Sequence, residues 1–144
     1  MIEAAVYELL SGDTAIASIV GNRIYPLFAP QRKPATYPDT PRTWITYQTV
    51  SEVRDMPLNG PTGLVVARIQ IDFFAYNYDV ARSLADVVRL RLEGFNGSAA
   101  GHRIQRIWLD NRIDGYEFET EGSENPIVRV ISDFRIAFAE AIAA

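Results

Sequence analysis

The chain has 144 residues, a mass of 16.1 kDa, 48% hydrophobic and 22% charged residues, and a formal net charge of -4. That is the size and balance of one soluble globular domain, able to bury about two-thirds of the surface its unfolded form exposes. The lack of cysteine and the single histidine exclude thiolate nucleophiles, disulfides, Cys/His zinc sites and His-pair metal centres, and the acidity argues against wrapping nucleic acid, which takes clustered positive charge.

Ile2, Ala5, Val6, Leu9 and Leu10 recur at helical spacing and predict an opening amphipathic helix, ended by Ser11-Gly12-Asp13. Asp13 then caps a second short helix over 14–20, with Ile16, Ile19 and Val20 inward and Gly21-Asn22 at its exit. The first ten residues lack the basic flank and apolar run of a signal peptide, and no stretch has the length of a membrane span. A cytoplasmic protein with no membrane partner is expected, at least until assembly. After an extended piece at Arg23-Ile24-Tyr25, prolines at 26, 30, 34, 38 and 41 disfavour helix and central strand alike, and predict an extended surface arm over 26–41.

The β-branched and aromatic run 43–53 predicts a strand whose return partner is 64–76. Between them, 54–63 carries the turn chemistry of a long hairpin tip, with Asn59-Gly60 suited to positive φ. A helix follows over about 78–93, with Asn77 as N-cap, Gly94 just past its end, and Val80, Leu84, Val87, Val88 and Leu92 as its buried stripe. Its outer face alternates sign at Arg82, Asp86, Arg89 and Glu93 and reads as self-pairing. Residues 103–109 form a third strand whose broken alternation predicts a bulge, then an acidic loop over 110–126. Residues 126–138 form the fourth strand, with Val128, Val130, Phe134, Ile136 and Phe138 on one face.

These elements predict a single α+β domain: a four-stranded antiparallel sheet, order 1-2-4-3, packed by an N-terminal αα-hairpin and a central helix. Lys33 is the only lysine among 14 basic residues. Arginine suits bidentate pairing with carboxylates, although a G+C-rich genome produces the same bias. An antiparallel register that sets Arg68 opposite Asp133 also sets Asp72 opposite Arg129, giving two cross-strand ion pairs.

The opening Met1 to Asp13, Val20-Gly-Asn-Arg-Ile-Tyr-Pro26, Arg68-Ile-Gln-Ile-Asp72 running into 76–92, Gly101-His-Arg-Ile-Gln105 and Val130-Ile-Ser-Asp-Phe-Arg-Ile136 together resemble the tail completion or tail terminator family of tailed bacteriophages. The resemblance covers nearly the whole chain in the same order. It implies a structural virion protein of the tail or neck, assembled in the host cytoplasm as a homo-hexameric ring at the head-proximal end of the tail. Its partners would be the tail tube protein and the head-tail connector, with DNA only as cargo in the lumen. Ring closure needs two unlike complementary patches on each subunit. The resemblance carries no catalytic residue, cofactor or metal. Another neck protein, or a ferredoxin-like ligand-binding module, is the alternative reading.

His102 reads as a surface histidine, because no serine or carboxylate has a sequence reason to lie beside it. The run Asp110, Asp114, Glu117, Glu119, Glu121 and Glu124 lacks the fixed spacing of a calcium loop, and 94–101 follows a helix instead of leading into one, as a phosphate loop would. Two segments carry interface candidates: Arg54, Met56 and Leu58 at the hairpin tip, for the tail tube or a neighbouring subunit, and Tyr25, Leu27, Phe28 and Tyr37 in the arm, for docking across a neighbour. For each, folding back on its own domain is the competing account. Trp44 and Trp108 serve either as anchors or as core.

Overall fold

The computed structural model describes residues 1–27, 43–118 and 126–141. Helices α1 (Ile2–Ser11) and α2 (Thr14–Val20) precede strands β1 (Ile24–Pro26), β2 (Trp44–Arg54) and β3 (Leu64–Ala75). Helix α3 (Tyr78–Leu92) then leads to β4 (Gly97–Ala99), β5 (His102–Phe118) and β6 (Pro126–Ala139).

Helices α2 and α3 begin where the sequence offers a cap. The Asp13 carboxylate accepts from the Ile16 amide at 3.0 Å, and the Asn77 carbonyl from the Asp79 and Val80 amides at 2.8 and 3.4 Å. Asn77→Ala removes the acceptor for two otherwise orphaned amides, so stability falls by about 1 kcal/mol; a thermal melt of the variant checks this, and an unchanged midpoint contradicts it. At the other end of α3, Gly94 takes φ +82, which a side chain would strain, and its amide reaches the Ile107 carbonyl at 2.8 Å. The buried stripe of α3 is Ala81, Leu84, Ala85, Val88 and Leu92. Val80 and Val87, expected inside, lie at the edge of that stripe: Val80 is exposed in the first turn, and the small Ala81 and Ala85 bring the helix close to the sheet.

The sheet corrects the expected fold class. Among the described residues it has six strands, not four, in the order β1-β2-β3-β6-β5-β4, and it is mixed, because β1 runs parallel to β2. The four long strands occupy the middle and are mutually antiparallel. β1 and β4 are three-residue edge strands. The expected acidic loop over 110–126 is also corrected: β5 continues as strand to Phe118, paired with β6 as far as Pro126. Two register shifts, between Ile104 and Arg106 and between Leu109 and Asn111, put one extra residue at Gln105 and at Asp110. Each extra residue reverses the alternation, which is why Ile104 and Ile107 are both buried on one side.

All three helices pack on one face of the sheet. That face carries Ile45 and Tyr47 of β2, the odd-numbered residues Val65 to Ala75 of β3, Ile104 and Ile107 of β5, and Val130, Phe134, Ile136 and Phe138 of β6, all in one core cluster with α1, α2 and α3. The other face has no described helix on it. Hairpin β2–β3 turns at one end of the sheet and hairpin β5–β6 at the opposite end, because Leu64 pairs with Ala139 whereas Ala75 pairs with Val128.

Candidate functional site

The helix-free face holds a charged network. Arg68 Nη2 donates to Asp133 Oδ2 at 2.9 Å, and Arg129 Nη2 to Asp72 Oδ2 at 2.6 Å. Both carboxylates are buried, whereas Arg68 and Arg129 lie across them with more than a third of each side chain exposed. The register that produces these pairs differs from the expected one: Arg68 stands opposite Arg135, Gln70 opposite Asp133, Asp72 opposite Ile131, and Phe74 opposite Arg129. The ion pairs are therefore diagonal. Arginine is long enough to reach a carboxylate two residues along the facing strand.

The neighbours of this network are ones that sequence reasoning missed. Gln70 Nε2 donates to both oxygens of Asp72, at 3.0 and 3.2 Å. Trp44 stacks on Phe74 with ring centres 5.0 Å apart, and the Arg129 guanidinium lies 5.6 Å from the centre of that Phe74 ring. Arg106 lies 5.0 Å from the centre of the Trp108 ring, and Arg135 pairs with Asp110 at 3.2 Å. Trp44 and Trp108 thus belong to this face and not to the core under the helices. Parity could have shown it, since Trp44 alternates against the buried Ile45.

The outer face of α3 is tied to β5 instead of pairing only with itself. Tyr78 Oη donates to Asp114 Oδ2 at 2.6 Å, Arg82 Nη1 to Asp114 Oδ1 at 3.1 Å, and Arg112 Nη1 to Asp86 at 2.8 Å; Arg89 also pairs with Glu93, four residues on at the end of the helix, at 3.2 Å. The phenol hydrogen bond, reinforced by Arg82, holds the Asp114 carboxyl below the usual range and pushes the Tyr78 phenol up. A carboxyl depressed on folding adds stability above its unfolded pKa and loses it as pH falls through the folded one. Tyr78→Phe therefore raises the Asp114 pKa toward its ordinary value and reduces the acid-side loss of stability. An NMR titration of the Asp114 carboxyl measures this, and an unmoved midpoint refutes it.

The candidate interface residues are dispersed. Tyr25 lies in β1, half-buried, and Leu27 follows it, exposed and with φ +63, where its amide donates to the Tyr47 carbonyl. Phe28 and Tyr37, with the rest of the arm, lie outside the described residues. At the hairpin tip, Met56 and Leu58 are 65% and 110% exposed. Arg54 closes the base of that hairpin, with Nε 2.5 Å from Glu140 and Nη2 3.0 Å from Glu52. Thr62 Oγ1 donates to Asp55 Oδ2 at 2.9 Å, and the Asp55 amide to the Leu64 carbonyl at 3.0 Å. His102 packs edge-on against the Phe138 ring and lies 3.1 Å from the Ala100 carbonyl.

Among the described residues no three histidine or carboxylate side chains are placed to hold a metal ion, and no helix is long and apolar enough to cross a membrane. Two shallow depressions lie along α2 and α3, one lined by Asp13, Ala15, Val87, Leu90 and Arg91 and the other by Ile19, Asp79, Val80 and Ser83. The geometry offers surfaces, ends and edges.

The model of a known family, described as tail completion protein gp17, matches residues 4–139. The chain belongs to that family. It is thus a structural protein of phage tails and of the virion. Among solved structures, a chain from the virion of a native gene transfer agent particle superposes with a TM-score of 0.71 at 20% sequence identity, over 96% of this chain and 95% of that one. At that identity the likeness speaks for the fold. No curated protein sequence matches significantly.

Proposed function

We propose that this tail completion protein closes into a ring, six-fold as in the family resemblance, at the head-proximal end of a tail, where it ends tube polymerisation and joins the tail to the head connector, with DNA passing through its lumen. Family membership over residues 4–139 carries the reading. The architecture supports it in two ways. A sheet whose two edges differ supplies the unlike patches that a closed heterologous ring requires. Hairpins that turn at opposite ends of that sheet give each subunit two distinct ends, suited to two different neighbours along the tail axis.

Negative-stain microscopy of the purified protein, with and without tail tubes, tests the reading. Rings, and tubes capped at one end, are expected; a monodisperse monomer that leaves tubes uncapped overturns it. Within this reading Met56 and Leu58 are tube contacts, since apolar side chains this exposed at a hairpin tip contribute little to folding. Met56→Asp with Leu58→Asp therefore keeps stability within about 0.5 kcal/mol and abolishes tube capping. Capping that survives the double change would move the tube contact elsewhere.

A further inference from the structure

The two edges of the sheet are stepped in opposite senses. On the β2 edge, β1 pairs with Ile45 to Tyr47, and the Leu27 amide takes the Tyr47 carbonyl. From Gln48 to Arg54 the outer side of β2 has no strand partner among the described residues. On the β5 edge, β4 pairs with His102 to Ile104, Asn96 Nδ2 donates to the Gln105 carbonyl, and the Gly94 amide donates to the Ile107 carbonyl. From Trp108 to Phe118 that side of β5 likewise has no strand partner among the described residues. The covered parts lie at opposite ends of the sheet, because Ile45 is on the row of Phe73 and Val130 whereas Ile104 is on the row of Phe138 and Val65.

We infer that the bare half of β2 in one subunit pairs with the bare half of β5 in the next, an antiparallel edge-to-edge joint between two copies of this chain. This rests on the ring reading and specifies its contact. Four observations support it. First, β2 and β5 run antiparallel to each other within the sheet, so a neighbour that continues the sheet presents β5 to β2 in the hairpin sense. Second, when the neighbour is displaced along the strands until the bare halves meet, β1 and the neighbour's β4 clear each other, as in a half-lap. Strands inclined to the ring axis supply that displacement, as they do when any sheet closes with a stagger. Third, the bare halves carry large apolar side chains on the same helix-free face, Val53 at 66% exposure and Ile113 at 53%. Fourth, neither bare half contains proline, which would withhold a ladder amide, whereas β1 ends in Pro26.

The chain has no cysteine, so introduced thiols react without background. Neighbouring strands lie about 4.8 Å apart, and a short bis-maleimide reaches between positions 53 and 113 even when the register is off by a residue or two. The full-length double variant Val53→Cys, Ile113→Cys, confirmed as folded by its melt, is treated with that reagent, and native mass spectrometry of the untreated protein records its assembly. A covalent ladder ending at the ring's own stoichiometry is expected, and an equal mixture of the two single variants should stop at covalent dimers. Rings in the native spectrum without a ladder overturn the edge joint and leave the ring standing. A monomer in both measurements, including in the presence of tail tubes, overturns the joint and the ring together.

Discussion

Phe134→Ala lowers the unfolding free energy by about 3 to 5 kcal/mol, the cost of lost burial plus the cavity left behind. Phe134 is fully buried in the middle of β6, between Ile69 of β3 and Leu109 of β5 on the helix-covered face. Flanked by strands on both sides and roofed by helices, the site has little freedom to collapse into the space. Domains of this kind hold only about 5 to 15 kcal/mol in total, so the variant sits near its unfolding threshold. Urea denaturation with an unchanged slope is the measurement. A loss under about 1 kcal/mol would show that the layer over Phe134 closes up. Val53→Ala on the bare edge serves as contrast and stays within about 0.5 kcal/mol of the parent.

Arg129→Ala is the second large effect, at about 2 kcal/mol. Truncating one partner of a fully buried ion pair costs more, about 3 to 5 kcal/mol, because the remaining charge has no counterpart. Here Gln70 still donates to both oxygens of Asp72, and the arginine is itself 35% exposed, so water and the amide replace part of what is lost. Three interactions disappear together, the hydrogen bonds to Asp72 at 2.6 and 3.2 Å and the cover over Phe74. Arg129→Lys separates them: it keeps the charge but loses the planar fork that spans carboxylate and ring, and should recover less than half. In a double-mutant cycle with Asp72→Asn the two single losses add to more than the double loss. Strict additivity would mean that the pair contributes nothing as a pair.

The helices and long strands were legible in the sequence because burial on one side imposes a period, and Asp13, Asn77 and Gly94 mark their ends with residue types that few other positions need. The sheet edges were not legible. β4 is Gly97-Ser98-Ala99, with no strand preference of its own, and is held by its ladder to His102–Ile104. β1 ends in proline, which signals a break in structure. The outer half of β5 mixes charged and apolar residues beyond the bulge at Asp110, and an edge strand with one protein neighbour need not be apolar on either face, so Asp110 to Phe118 resembled a loop. The Arg68–Asp133 and Arg129–Asp72 partners were readable from spacing, but the register was not: direct opposition gives the same pairing as a diagonal reach, and arginine's length removes the distinction. Of the surface argued for assembly, the tip residues Met56 and Leu58 stood out in the sequence, whereas the stepped edges exist only once β1 and β4 are in place.

The two hairpins close over short stretches of chain, but the seam between β3 and β6 joins residues such as Arg68 and Asp133, 65 apart in sequence, through α3. Local contacts form before distant ones because a longer loop loses more entropy on closing. The halves β2–β3 and β5–β6 are therefore expected to take shape separately and meet last along this seam, whose ion pairs lie on the helix-free side. Until that meeting each half has its bare outer edge but also an open inner one, and the latter is the better template for a wrong partner. Timely closure of the seam thus decides whether a newly made subunit offers its neighbours two edges or four.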